Sequence, residues 1–294
     1  MPNFEVQNQV NDERSLEVYK RNDMIQKARF SLSVQEQRAV LYAISKIKPD
    51  DTYLKEYVFD IKDFYRVIGW SKQSYTEFKA LMLELRNKGW YITLPDGSEP
   101  SVAWFSKVTP NKKSGKVKIK FDEDMMPYLI QLAQGTEFYT KYQLQYVLPM
   151  SSQYSPRLYE ILKSYQYNNR RWFFDIDELK HLLDCKSYTN FSHFQRRVLD
   201  PAVEEINKYT DIAICYSLTR NGRKVVKVNF QMAGKTQSEI LKAQREIAEE
   251  LGQFSMDEML DALDAERKFW QERHQAEAEE RAIRERQEAM FKKK

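Results

Sequence analysis

Two hundred and ninety-four residues, 42% apolar and 13% aromatic, suffice for two folded domains with an appendage and are too rich in apolar side chains for a disordered chain. The net charge of +4 is unevenly spread: residues 1–232 hold 35 basic and 28 acidic side chains, residues 233–294 hold 12 and 15. No run approaches the roughly 18 apolar residues of a membrane helix, Met1 to Glu13 lacks the apolar stretch of a signal peptide, and two cysteines, Cys185 and Cys215, supply neither a disulfide framework nor a zinc quartet, so a cytoplasmic protein without membrane contact is expected.

Residues 1–15 read as a disordered arm. Ser33-Val34-Gln35-Glu36 is a capping box that opens a helix carrying Val40, Leu41, Ile44 and Ile47 on one arc. Tyr57 to Phe59 reads as a short strand and Asp60 to Ile68 as a short helix. A second capping box, Ser74 to Glu77, opens a helix with Tyr75, Phe78, Leu81, Met82 and Leu85 inward and an end at Gly89. Strands follow at Trp90 to Leu94, Val102 to Val108 and Lys116 to Phe121, the last two joined by a basic loop over 110–115.

The order then repeats. Thr140-Lys141-Tyr142-Gln143 has the form of another capping box, and Leu158, Ile161, Leu162 and Tyr165 mark a helix. Trp172 to Phe174 is a strand, and Asp175 opens a helix bearing Leu179 and Leu182. A longer helix runs from Asn190 to Tyr209, kinked by Pro201 after Leu199. A hairpin, Ile212 to Leu218 and Val225 to Phe230, closes the run. A three-residue loop Arg220-Asn221-Gly222 would pair Tyr216 with Val226, Ile214 with Val228 and Ile212 with Phe230, giving one apolar face. Helix, strand, helix, helix, hairpin, occurring twice, is the winged helix-turn-helix order. The fold class expected is therefore α+β: tandem winged-helix domains over 16–135 and 136–232, related by pseudo-symmetry, with a charged helical tail over 233–294. The stripe Ile240, Leu241, Ile247, Leu251, Met259, Leu260 and Leu263 makes that tail helical in its first part.

No catalytic constellation stands out. His181, His193 and His274 fall in no metal-binding spacing, and Gly234-Lys235-Thr236 lacks the upstream glycine of a phosphate-binding loop, having Asn229 in its place. No enzyme activity and no cofactor or metal are expected. The basic residues are more informative. On the 190–209 helix, Phe191, Phe194, Val198, Ala202 and Ile206 cluster on one side, and His193, Arg196 and Arg197 lie opposite in its first half, with Asp200 and Glu204 beyond them. A recognition helix presents its N-terminal turns to a DNA groove. Ser187, Tyr188, Thr189, Asn190, Ser192 and Gln195 supply hydroxyls and amides for base edges and phosphates. Arg220, Asn221, Arg223 and Lys224 sit at the neighbouring hairpin tip, with Lys227 close by. The first run echoes this with Lys72, Gln73, Thr76 and Lys79 on its helix and Lys112, Lys113 and Lys116 on its hairpin, and Leu83 there points outward.

Three stretches resemble the initiator replication proteins of theta-replicating, iteron-type plasmids: Asn22 to Ile25 with SLSVQEQRAVLYAISKI (31–47), FYTKYQLQYVLPMSSQYSPRLYEILKSYQ (138–166), and FQRRVLDPAVEEINKYTDIAICY (194–216) with NGRKVVKVNF (221–230). The resemblance implies monomers that bind repeated origin DNA, homodimers that repress the protein's own gene, and recruitment of a host initiator or replicative helicase. It assigns main recognition to the helix of Arg196 and Arg197, and dimerisation with further DNA contacts to the first domain. The alternative is a dimeric winged-helix transcriptional repressor without an origin role. A further reading makes the protein chiefly an interaction scaffold that uses its charged tail; deleting residues 233–294 tests it, since DNA binding should survive if the winged domains act alone.

Overall fold

Ser33 starts the first long helix as its neighbours dictate. Its hydroxyl accepts from the Glu36 N–H, and the Glu36 carboxylate accepts from the Ser33 N–H at 2.8 Å, closing the capping box. The computed structural model describes residues 12–48, 51–70, 74–94, 96–130, 132, 138–166 and 170–251. Chain contacts divide the protein into two units, Met1–Ile247 and Ala248–Lys294. The first half of the larger unit contains β1 (Glu17–Arg21), α1 (Asn22–Lys27), α2 (Val34–Ile44), β2 (Tyr57–Asp60), α3 (Ile61–Val67), α4 (Tyr75–Asn87), β3 (Gly89–Tyr91), β4 (Ser101–Ala103), β5 (Phe105–Asn111), β6 (Lys116–Phe121) and α5 (Met126–Leu129). The second contains β7 (Tyr139–Gln143), α6 (Ser155–Gln166), β8 (Arg171–Asp175), α7 (Ile176–Leu182), α8 (191–209), β9 (Ile212–Asn221) and β10 (Lys224–Gly234); α9 (Gln237–Glu250) follows in the chain.

The two halves share one plan. A three-stranded antiparallel sheet has the order β2-β6-β5 in the first and β8-β10-β9 in the second, so each time the lone strand pairs with the returning arm of the hairpin. Three helices, α2 to α4 and α6 to α8, complete each copy. The fold is α+β, two winged helix-turn-helix domains in tandem. Edge-to-face rings hold the first core, Tyr42 against Phe59 at 5.2 Å and Phe64 against Phe78 at 5.1 Å, while Tyr159, Phe174, Phe194, Val198 and Phe230 are buried in the second.

Several local expectations give way to tertiary pairing. Thr140 to Gln143 opens no helix; it belongs to β7, which pairs antiparallel with β1, Val18 opposite Tyr142. Behind this pair lies a buried polar cluster. The Lys20 ammonium donates to Glu160 Oε1 at 2.6 Å, both side chains 3% exposed, and the Tyr142 hydroxyl donates to the same oxygen. Arg157 donates to the Ala28 and Leu182 carbonyls. Ahead of β1, Arg14 is buried and donates to the carbonyls of Val67 and Arg66, so residues 12–15 are ordered where an arm was expected.

The expected strand over 102–108 is two, β4 and β5, separated at the buried Trp104: β4 pairs with β3, and β5 with β6. Strand β3 stops at Tyr91 instead of Leu94. The β9–β10 hairpin also has a different register. Asn221 pairs with Lys224 around a Gly222-Arg223 turn, and a bulge at Val226 follows, leaving Tyr216 opposite Phe230, Ile214 opposite Met232 and Ile212 opposite Gly234. Gly222 has φ +58°, the left-handed value that the first position of such a turn requires. The bulge turns both Val225 and Val228 into the core, which strict alternation forbids.

Candidate nucleic-acid interface

The turn between α7 and α8 is built by side chains that point inward. Lys180 donates to the Tyr188 carbonyl at 2.6 Å and lies over the Phe194 ring, and Tyr188 meets Tyr154 edge-on. Asn190 then caps α8, its side-chain oxygen accepting from the N–H groups of Ser192 and His193. Phe194, Val198, Ala202 and Ile206 are buried; Ser192, His193, Arg196, Arg197, Asp200 and Glu204 are exposed.

Pro201 acts differently from the expected kink. It has no N–H for the Arg197 carbonyl and its ring crowds that oxygen. The helix widens into a π turn over Gln195–Leu199 and then resumes as Asp200–Tyr209. Tyr216 of β9 spans this turn: its hydroxyl accepts from Gln195 Nε2 at 2.8 Å and donates to Asp200 Oδ1. Burial and the Asp200 bond push that hydroxyl up to about 12, so it keeps its proton at neutral pH. At the far end of α8, Lys235 donates to the carbonyls of Asn207 and Thr210, which is where the lysine of the Gly-Lys-Thr triplet is engaged.

The wing beyond Tyr216 carries Arg220, Asn221, Arg223 and Lys224, all exposed. Asn221 lies five residues up the strand, about 16 Å from the contact with the helix. Arg196, Arg197, Arg220, Arg223 and Lys224 make no ion pair among the described residues. Lys227 does, 3.7 Å from Asp175, and it also covers the Phe173 ring at 4.2 Å. In the first copy, Ser74 caps α4, and Thr76 and Lys79 are exposed. Asn111 shapes the hairpin loop by accepting from the N–H groups of Lys113 and Ser114, leaving Lys112, Lys113 and Lys116 exposed. The Tyr75 hydroxyl donates to the Pro110 carbonyl, fastening α4 to this wing. Lys72 and Gln73 lie outside the described residues.

Residues 17–163 match the family described as "Initiator Replication protein, WH1", and residues 175–232 match "Initiator Rep protein, WH2". The chain belongs to this initiator replication protein family. It is 27% identical over 208 residues to the PI protein of Escherichia coli, spanning 65% of this chain and 66% of that protein. It is 28% identical over 127 residues to a replication initiation protein of Escherichia coli, spanning 40% and 37%. The chain thus spans less than two thirds of the length of these relatives. The crystal structure of Pi initiator protein in complex with iteron DNA shares the fold, with a TM-score of 0.62 and 21% identity over 76% of this chain and 99% of that one.

Within this initiator fold the residues singled out from sequence fall into two groups. Ser187, Thr189, Ser192, His193, Arg196 and Arg197 are exposed together on the first turns of α8 and the loop before it. Tyr188, Asn190 and Gln195 are engaged internally: Tyr188 is half-buried, the Asn190 oxygen is taken by the cap, and Gln195 turns toward Tyr216. Sequence reasoning missed Lys180 and Tyr216 as supports. Tyr216 had a signal, since it alternates with Ile214 on the inward face of β9 and brings a hydroxyl that burial obliges to bond. Among the described residues, no three His, Cys, Asp or Glu side chains gather to hold a metal, and no helix is long and apolar enough to cross a membrane.

Proposed function

We propose that the protein is a plasmid replication initiator that binds repeated double-stranded DNA at an origin, with α8 of the second winged domain reading bases. One observation carries the reading: five exposed cations that make no ion pair among the described residues stand on α8 and the β9–β10 wing of a chain in the initiator family. Lysines and arginines left unpaired by the protein are available to displace condensed counterions from phosphates. Arg196 and Arg197 suit bidentate contacts to guanine, and the wing tip suits the flanking backbone. Several bound copies bend the neighbouring duplex and favour its opening at flexible A·T-rich steps. In this reading the protein works by binding rather than by catalysis, acts in the cytoplasm, represses its own gene as a homodimer and hands the opened DNA to a host initiator or replicative helicase.

Footprinting on the DNA flanking its own gene tests this. Protection of an array of direct repeats supports initiation. Protection of a single inverted repeat alone favours the repressor, and no protection removes the DNA-binding reading.

A further inference from the structure

The π turn of α8 sets the arginines in an unusual frame. Residues Gln195 and Asp200 bracket it, and both are bonded to one oxygen, the Tyr216 hydroxyl of the wing strand. Arg196 and Arg197 are the two residues that follow the first fastened position, and both are exposed. A Tyr hydroxyl has one proton to give and lone pairs to receive; here the proton goes to Asp200 and the Gln195 amide is received. The ring beneath is held against Phe230, 6.3 Å away, directly across the hairpin. Helix and wing strand are therefore joined at the turn that carries the arginines, as well as nearer the helix end, where Asn207 exchanges two bonds with the Ile214 backbone.

We propose that Tyr216 is a positioning residue for sequence discrimination: it holds the π turn against the wing so that Arg196 and Arg197 meet base edges in one fixed orientation. The proposal rests on the DNA-recognition function and adds to it a residue that touches no DNA. A widened turn has longer, less regular backbone bonding than an α-helix, and a side chain that grips both its ends narrows the orientations open to it. Long arginine side chains tolerate such drift when they meet phosphate, a diffuse target, but not when they make paired bonds to one base. Loss of the joint should therefore cost specific binding and spare non-specific binding.

The test uses the full chain and two probes: a duplex enriched from a random-sequence pool by the wild-type protein, and an unselected duplex of the same length. Tyr216→Phe keeps the ring and removes both bonds. A loosened paired contact to a base predicts about a tenfold loss of affinity for the enriched duplex, with unchanged affinity and salt dependence on the unselected one. Gln195→Met, at a half-buried position, removes one bond and should give a smaller loss of the same kind. In Y216F the further cost of Arg197→Ala should shrink, because the arginine has already lost its orientation. Equal affinity of Y216F and wild type for the enriched duplex, or equal losses on both duplexes, overturns the proposal while leaving DNA recognition intact. A pool that yields no preferred duplex overturns the recognition reading itself.

Discussion

The two winged copies are built alike and equipped differently. The second wing is long, with strands of 10 and 11 residues, and the first is short, with strands of 7 and 6. In the second, α8 carries adjacent exposed arginines on a π turn gripped at both ends by Tyr216. In the first, α4 is a regular helix whose exposed side mixes Thr76, Lys79, Leu83 and Glu84, and its link to the wing is the Tyr75–Pro110 bond at 3.3 Å. Leu83, 40% exposed among these polar side chains, suits a protein contact as well as DNA. The difference shows how one scaffold can be fitted out in two ways. The sheet order and buried helix faces stay fixed, while wing length and the outward residues of the third helix differ.

The largest effect that separates the copies concerns stability. Each opening helix has a nearly buried glutamate, Glu160 held by Lys20 and Glu36 held by Lys88 at 2.8 Å, but Lys20 is 3% exposed and Lys88 is 42% exposed. Lys20→Ala strands a buried carboxylate and should cost about 3–5 kcal/mol in urea unfolding, whereas Lys88→Ala should cost about 1 kcal/mol or less. Similar costs would erase this distinction.

Next comes recognition. Arg196→Ala or Arg197→Ala should lose about 1–3 kcal/mol of binding to the preferred duplex and relax specificity there; Lys79→Ala, on the matching helix of the first copy, should lose less. Titrations of the three variants on one duplex decide it. On the wings, Lys224→Ala should weaken binding to all sequences alike and lower the slope of log affinity against log salt by about 1. If Lys112→Ala lowers it equally, the short wing reaches phosphate too.

The smallest effect is one that acid removes. Burial pushes the Glu36 carboxyl up, but the bonds from Lys88 and from the Ser33 N–H and hydroxyl outweigh it and hold the group below its ordinary value. Its contribution is therefore complete above the unfolded value of about 4.3 and fades as pH falls through the lower folded one. Thermal melts of Glu36→Gln should be destabilised at pH 7 and converge on wild type as that acid range is crossed.

Much of this architecture was legible in the residues, for identifiable reasons. The Ser33 and Ser74 caps are local bonds within three residues, and the apolar faces of α4 and α8 follow helical spacing. Arg196 and Arg197 had to be exposed once Phe194, Val198 and Ala202 were buried. What escaped was non-local or irregular. Thr140 to Gln143 fits a capping box letter by letter, yet the distant β1 offers it a ladder and a buried cluster that outweigh the cap. The bulge at Val226 breaks the alternation on which register arguments depend. Pro201 announced a disturbance in α8 but not its form, and Gln195 read as a DNA contact because its true partner lies on another element.

The pairing of β1 with β7 sets a timetable for synthesis. Val18 and Tyr19 leave the ribosome more than a hundred residues before Tyr142 and Lys141, the partners that cover them. At about 5–20 residues per second, the nascent strand waits for several seconds before its ladder partner is made. The first winged domain is thus made early but finished late, and a product released before Gln143 lacks the strand that pairs with its own beginning.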